Sequence, residues 1–189
     1  MDTKEKILVE SLKLFAQNGY EAVSVADIAG QISVTKGALY KHYKNKRDIL
    51  GSIIRRMEEQ DATMADRYHV PANAKELVPQ QYRDTSIEDF VLFTVMMFDY
   101  WTRDAFASDF RKLLTIEQYK SKEMQELYQT YLGSGVVGYI GDVLEETKWK
   151  GRELEYWGIF YLLLNQYDAA EDKESVREQL REYLDKFLN

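Results

Sequence analysis

The sequence predicts an all-α protein in which a short amino-terminal helix-turn-helix precedes a larger helical body. Three observations lead there. A capping residue followed three positions later by an acid recurs at Asp2–Glu5, Ser24–Asp27, Asn45–Asp48 and Ser86–Asp89. Behind each of these starts, apolar residues follow at the three- and four-residue intervals of a helix face. Finally, residues 34–47 read VTKGALYKHYKNKR, with Lys36, Lys41, Lys44, Lys46, Arg47 and a histidine but no acid, in a chain of formal net charge -7.

The elements follow in order. Asp2 opens a first helix that carries Ile7, Leu8, Leu12, Leu14 and Phe15 mainly on one side and ends at Asn18-Gly19. Ser24 opens a second, from Val25 to about Ile32, with Ile28, Ala29 and Ile32 turned inward. Thr35 caps a third through about Tyr43, and with only Ser33 and Val34 between them the pair has the short turn of a helix-turn-helix. Asn45 then caps a long fourth helix carrying Ile49, Leu50, Ile53, Ile54 and Met57, expected to stop near Tyr68 because both prolines, Pro71 and Pro79, come just after it. His69 in that stretch reads as a surface or hinge residue. The expected domains are residues 1–50, the helix-turn-helix with the start of the fourth helix, and residues 51–189.

Later elements rest on periodicity. Ser86 begins a helix in which Phe90, Phe93, Met97, Tyr100 and Trp101 recur at helical spacing, a stripe that is ordinarily core. A shorter helix is expected from Asp104 to about Tyr119, and one long helix from Lys122 to about Lys148. Within the latter, GSGVVGYIG fits G-x-G-x-x-G, but a dinucleotide fingerprint needs a strand before it, and SKEMQELYQTYL is helical in pattern. Its glycines read instead as thinning or kinking a helix. Leu154–Tyr167, with YWGIFYLLLN, is apolar nearly all round and must be covered on more than one side. Asp172 opens the last helix, with Val176, Leu180, Tyr183, Leu184 and Phe187 on one face.

Composition narrows the function classes. The 189-residue chain is 45% hydrophobic and 30% charged, ordinary for a globular protein. Without cysteine it has neither disulfides nor thiolate metal sites, and two histidines offer little to a transition metal, so no metal and no cofactor is expected. The acids in MDTKEKILVE do not suit a secretory signal and no long apolar run occurs, so the expected address is cytoplasmic. Residues 1–50 hold eight Lys/Arg against six Asp/Glu, and the rest 17 against 26. Basic charge is therefore local, as on a surface that meets phosphates, although a solvated helix face would read the same way.

The window's chemistry favours DNA. The second helix of a helix-turn-helix enters the major groove, where an acid would face backbone charge. Gly37 in its first turn costs about 1 kcal/mol relative to alanine, which suggests close backbone approach to a partner or, alternatively, tight packing on a neighbouring helix.

At this point the stretch from Ile7 to Leu50, with LFAQNGYEAVSVADIA followed by VTKGALYKHYKNKRDIL, resembles the DNA-binding domain of the tetracycline-repressor (TetR) family of bacterial transcription regulators. Phe15, Gly19-Tyr20, Ile28-Ala29, Lys36-Gly37, Leu39-Tyr40, His42-Tyr43, Lys46 and Leu50 carry the likeness. Two positions depart from the family pattern: Ser33 where the turn is often glycine, and Tyr43 where Phe is usual. The resemblance implies about nine helices, a homodimer and a divergent body that binds an inducer. It puts Lys36, Gly37, Tyr40 and Lys41 nearest the bases, and Ser24, Thr35, Tyr40, His42 and Lys46 at phosphates, with amides at the helix starts of Val25 and Lys46. Leu39 and Tyr43 would be core, and core packing is a rival for Tyr40. It also implies that the final two helices form the dimer seam, with Trp157, Leu164, Leu180, Leu184 and Phe187, the alternative being that they complete the monomer's core.

Phe93, Met97, Tyr100, Trp101, Phe110, Tyr128, Tyr131, Trp157 and Tyr161 are candidates to line an inducer cavity, with Asp99 or Glu117 supplying charge, though most such rings would be core in any helical body. The function expected is a ligand-responsive, dimeric repressor of a palindromic operator. Its rivals are an enzyme or carrier that uses the cavity for a substrate, which no nucleophile-base pair supports, and a constitutive DNA-binding protein.

Overall fold

Polar side chains cap the amino-terminal helices in the computed structural model, which describes residues 2–67 and 86–188. Ten helices and no strand occur among these residues: α1 Thr3–Asn18, α2 Val25–Gln31, α3 Lys36–Tyr40, α4 Lys46–Arg67, α5 Ile87–Arg103, α6 Ala105–Glu117, α7 Lys122–Leu132, α8 Ser134–Leu144, α9 Glu153–Ala169 and α10 Lys173–Leu188. The expected stop near Tyr68, with His69, Pro71 and Pro79, lies outside the described residues. No described helix is long and apolar enough to cross a membrane.

The chain divides into two compact units, Met1–Gln60 with Ala105–Tyr128 and Asp61–Asp104 with Gln129–Asn189. The first unit thus joins residues 1–50 to the next part of α4, as far as Gln60, to α6 and to the start of α7. Its core is built from Ile7, Leu12 and Phe15 of α1, Ile28 of α2, Leu39 of α3, Ile49 and Ile53 of α4 and Phe110 of α6, all buried. α1 packs chiefly against α6, which is buried on nearly every side. Helices α1 and α2 start as expected: the Asp2 carboxylate accepts the Glu5 N–H at 2.7 Å, and Ser24 and Asp27 complete a reciprocal capping box. α1 ends at Gly19, whose φ of 84° suits glycine, and an added Cβ there would meet Glu117 Oε1 at 2.9 Å.

The second unit is held by rings. Phe98 packs edge-on against Phe160 and Tyr167. Phe90 stacks on Tyr156, whose hydroxyl lies 2.6 Å from that of Thr94. Phe187 meets both Tyr156 and Trp149, and its carbonyl accepts the Trp149 indole N–H at 2.7 Å. Arg177 of α10 donates through Nε and Nη2 to the two Asp99 oxygens at 2.7 Å each, tying α10 to α5.

Three expected elements differ. The helix expected from Lys122 to Lys148 is two, α7 and α8, because Gly133 adopts φ -122° and ψ -134° and breaks the ladder. Gly135 follows so closely that a Cβ would lie 2.9 Å from the Thr130 carbonyl oxygen. The third helix is regular only to Tyr40; the amides of His42 and Tyr43 still bond the Leu39 carbonyl, but as a turn. On α5 the buried face is Phe90, Thr94, Phe98 and Trp101, whereas Phe93, Met97 and Tyr100 of the expected stripe are half-buried.

Candidate nucleic-acid interface

The α2–α3 pair brings the acid-free window to the surface. α2 ends at Gln31, and the turn to α3 passes through Ser33, which takes the left-handed φ of 59° that glycine adopts more cheaply. The Val34 N–H bonds the Ala29 carbonyl at 2.9 Å, closing the turn over α2. Thr35 then caps α3, its hydroxyl accepting the Ala38 N–H at 3.1 Å. Because α3 has only five residues and one buried side chain, Leu39, the rest of its surface faces outward.

Ser24, Thr35, Lys36, Gly37, Tyr40, Lys41 and His42 are all exposed, and Val25 is half-buried at the α2 start. Tyr40 is 51% exposed, which removes core packing as its role. Tyr43 is buried instead and donates its hydroxyl to the Lys4 carbonyl at 3.3 Å. Burial first, then the nearby carboxylates of Glu5, Asp48 and Asp2, push its phenol up to about 12, so it stays a neutral donor. An added Cβ on Gly37 would meet nothing closer than Thr35 Oγ1 at 3.9 Å. No neighbouring helix therefore demands glycine there.

α4 starts at the expected cap. The Asn45 carbonyl oxygen of the side chain accepts the Asp48 N–H at 2.9 Å, and Asp48 in return accepts the Lys44 N–H at 2.9 Å. The Lys46 ammonium, however, turns back onto the α1–α2 turn: it donates to the Tyr20 carbonyl at 2.7 Å, lies 4.2 Å from the centre of the Tyr20 ring and 3.8 Å from a Glu21 oxygen. In this structure Lys46 is thus a clamp inside the first unit, its ammonium held by the carbonyls that end that turn. The other side of the same turn is held by Glu117, a buried carboxylate of α6 that accepts the Tyr20 N–H at 3.1 Å. Sequence reasoning missed this arrangement, since residues 20, 46 and 117 carry no local signal of one another. It also missed Arg47, which donates both terminal nitrogens to Glu123 at the start of α7.

Of the cavity candidates, Phe110 and Tyr128 belong to the first unit, and Phe110 is wholly buried core. In the second unit, Tyr100, Trp101 and Tyr131 are neighbouring rings, and Trp157 stacks on Phe160 beside Tyr161 while donating its indole N–H to the Leu132 carbonyl at 3.1 Å. Trp101 is buried; Phe93, Met97, Tyr100, Tyr131, Trp157 and Tyr161 are half-buried. Asp99 and Glu117 are already engaged, by Arg177 and by Tyr20. An open groove of about 320 Å³ in the first unit, lined by polar side chains such as Glu5, Arg55 and Arg56, includes none of these candidates. Of the expected seam residues, Leu164, Leu180, Leu184 and Phe187 are at most 2% exposed within the single chain and belong to its core, whereas Trp157 is half-buried. α9 instead exposes Leu154 (71%) and Leu162 (52%), eight residues apart on one face.

Comparison with known proteins matches this geometry. Residues 7–53 match the family profile described as bacterial regulatory proteins, tetR family. The chain is 44% identical over 62 residues to the transposon Tn10 TetC protein of Escherichia coli, a stretch covering 32% of this chain and 29% of TetC. It thus spans less than a third of that relative. Two solved structures share the fold over nearly the whole chain. A transcriptional regulator of the TerR/AcrR family from Aquifex aeolicus VF5 aligns with a TM-score of 0.65 at 21% identity, covering 97% of this chain and 98% of that one. SmeT in complex with triclosan aligns with a TM-score of 0.66 at 16% identity, covering 98% and 90%; SmeT is the repressor of the Stenotrophomonas maltophilia multidrug efflux pump SmeDEF.

Proposed function

We propose that this chain, a member of the tetR family of bacterial regulatory proteins, is a dimeric, non-enzymatic repressor that leaves a palindromic operator when a small molecule binds its body. The observation that carries the reading is the exposed face of α3, where Lys36, Gly37, Tyr40 and Lys41 present cations, a ring and bare backbone without an acid among them. Cations there meet guanine acceptors, the Tyr40 ring meets a thymine methyl, and Ser24, Thr35 and His42 suit phosphate oxygens.

Ligand response is supported by Met97 and the half-buried rings of the second unit, Phe93, Tyr100, Tyr131, Trp157 and Tyr161, an apolar and aromatic set suited to an organic inducer. SmeT, which shares the fold, binds triclosan. α4 runs unbroken from Lys46 to Arg67, with residues to Gln60 in the first unit and the rest in the second, and ligand binding in the body would act on the head through this helix. Two recognition helices must reach successive major grooves about 34–36 Å apart, and a change in that spacing costs affinity without any new chemistry. The dimer would use the outer face of α9, where Leu154 and Leu162 are exposed.

A labelled palindrome from the promoter region of the protein's own gene, titrated with and without candidate organic ligands, tests the reading. Tight, salt-sensitive, sequence-selective binding that a ligand reverses is expected. Selective binding that no ligand affects would make the protein a constitutive binder, and ligand binding without any DNA affinity would favour a carrier or enzyme.

A further inference from the structure

The first two residues of α4 carry adjacent cations that are spent in different ways. Lys46 is turned into the first unit, with its side chain 21% exposed, and holds the Tyr20 carbonyl. Arg47, with its side chain 58% exposed, points to the surface, and both its terminal nitrogens are taken by the two oxygens of Glu123, whose side chain is 43% exposed. The planar fork of a guanidinium grips a phosphate in the same bidentate way it grips a carboxylate. The fork stands at the end of the acid-free window, one position beyond the residue that the family resemblance assigns to phosphate. Glu123 comes from α7, 76 residues further along the chain, and is the acid that closes this end of the window in space though not in sequence.

We propose that Arg47 is a phosphate-binding residue of this protein and that Glu123 is a built-in competitor which occupies its guanidinium when DNA is absent. The proposal rests on the DNA-binding reading above. Hydrogen bonds from Arg47 hold the Glu123 carboxyl below its usual range, so the competitor is charged at any pH at which the protein would meet DNA. The pair is exposed on both sides and therefore weak enough for a phosphate to displace. The advantage of such an arrangement is selectivity. A lone surface arginine would add affinity for any polyanion, whereas one that must first leave a carboxylate contributes only when the remaining contacts hold the duplex in place.

The test measures binding of the full-length protein to a fluorescein-labelled 30-base-pair duplex of random sequence at several sodium chloride concentrations, because the phosphate contribution is independent of sequence. Glu123→Gln keeps the shape and one acceptor but removes the charge. It is expected to tighten binding about two- to five-fold at low salt, the range a released surface ion pair supplies. The plot of log affinity against log salt should steepen by about one unit, the signature of one further phosphate contact. Glu123→Ala should tighten at least as much. Glu126→Gln, an equal charge change one turn along α7 at a residue that pairs with Lys122, should do less. In an Arg47→Ala background the Glu123→Gln gain should shrink to that of Glu126→Gln. Unchanged or weaker binding by Glu123→Gln, an equal gain from Glu126→Gln, or a gain that persists without Arg47 would each overturn the proposal while leaving the DNA-binding reading intact. Failure of the wild-type protein to bind any duplex at low salt would sink both.

Discussion

Helices α2 and α3 have seven and five residues, and α9 and α10 have seventeen and sixteen, yet the shorter pair presents the more defined chemical surface. In the short pair, caps at Ser24 and Thr35 fix the helix starts, and only Ile28, Ala29 and Leu39 are buried, so Lys36, Gly37 and Tyr40 of α3 remain exposed. In the long pair, Tyr156, Phe160, Leu163, Leu164 and Tyr167 of α9 and Val176, Leu180, Leu184 and Phe187 of α10 are consumed by the chain's own core. Size therefore supplies stability, while function is read from what stability leaves exposed: a cationic face on one pair, two leucines on the other.

The sharpest way to break this comparison is to attack both faces of the long pair. Leu184→Ala removes a side chain 2% exposed and should cost about 2–5 kcal/mol in thermal or urea unfolding, whatever the oligomeric state. Leu162→Glu, at a position 52% exposed, should leave helix content unchanged yet yield monomers in sedimentation; a stable dimer from this variant would remove the outer face of α9 as the seam.

Within the short pair, Lys36→Ala or Lys41→Ala should cost about 1–3 kcal/mol on the true operator and less on scrambled DNA, if either reads a base. Lys46→Met should instead lower stability by about 1–2 kcal/mol, because it removes charged hydrogen bonds to the Tyr20 and Glu21 carbonyls, and should leave the salt slope of DNA binding unchanged. A shallower slope would restore Lys46 as a phosphate ligand.

Gly37→Ala separates stability from function in the other direction. With nothing within 3.9 Å of the added Cβ, α3 should gain up to about 1 kcal/mol while DNA binding weakens. The smallest effect concerns pH. Hydrogen bonds from Ser24 hold the Asp27 carboxyl below its usual range, so the capping box contributes above the ordinary carboxylate range and is lost as pH falls through the lowered value. Asp27→Asn should flatten the decline in stability below about pH 4.

Capping, helix starts and the helix-turn-helix were legible in the residues because a cap and its acid lie three positions apart and report on nothing further away. So was the exposure of α3, since a short helix with one apolar anchor, Leu39, amid cations can bury little else. Ser33 was visible as a departure from the glycine common at that turn, and the left-handed φ of 59° shows that the turn keeps its geometry with serine in place. Tertiary structure alone decided the rest. Helical periodicity runs on across Gly133, so only the packed chain shows α7 and α8 as separate. α9 is apolar nearly all round, and a pattern with no polar side cannot say which face turns inward; packing against α5, α8 and α10 chose it. The division of labour between Lys46 and Arg47 depended on acceptors at Tyr20 and Glu123, 26 and 76 residues away. Neighbouring cations look alike in a sequence because their charge is the same, and the fold separates them by where it places the nearest oxygen.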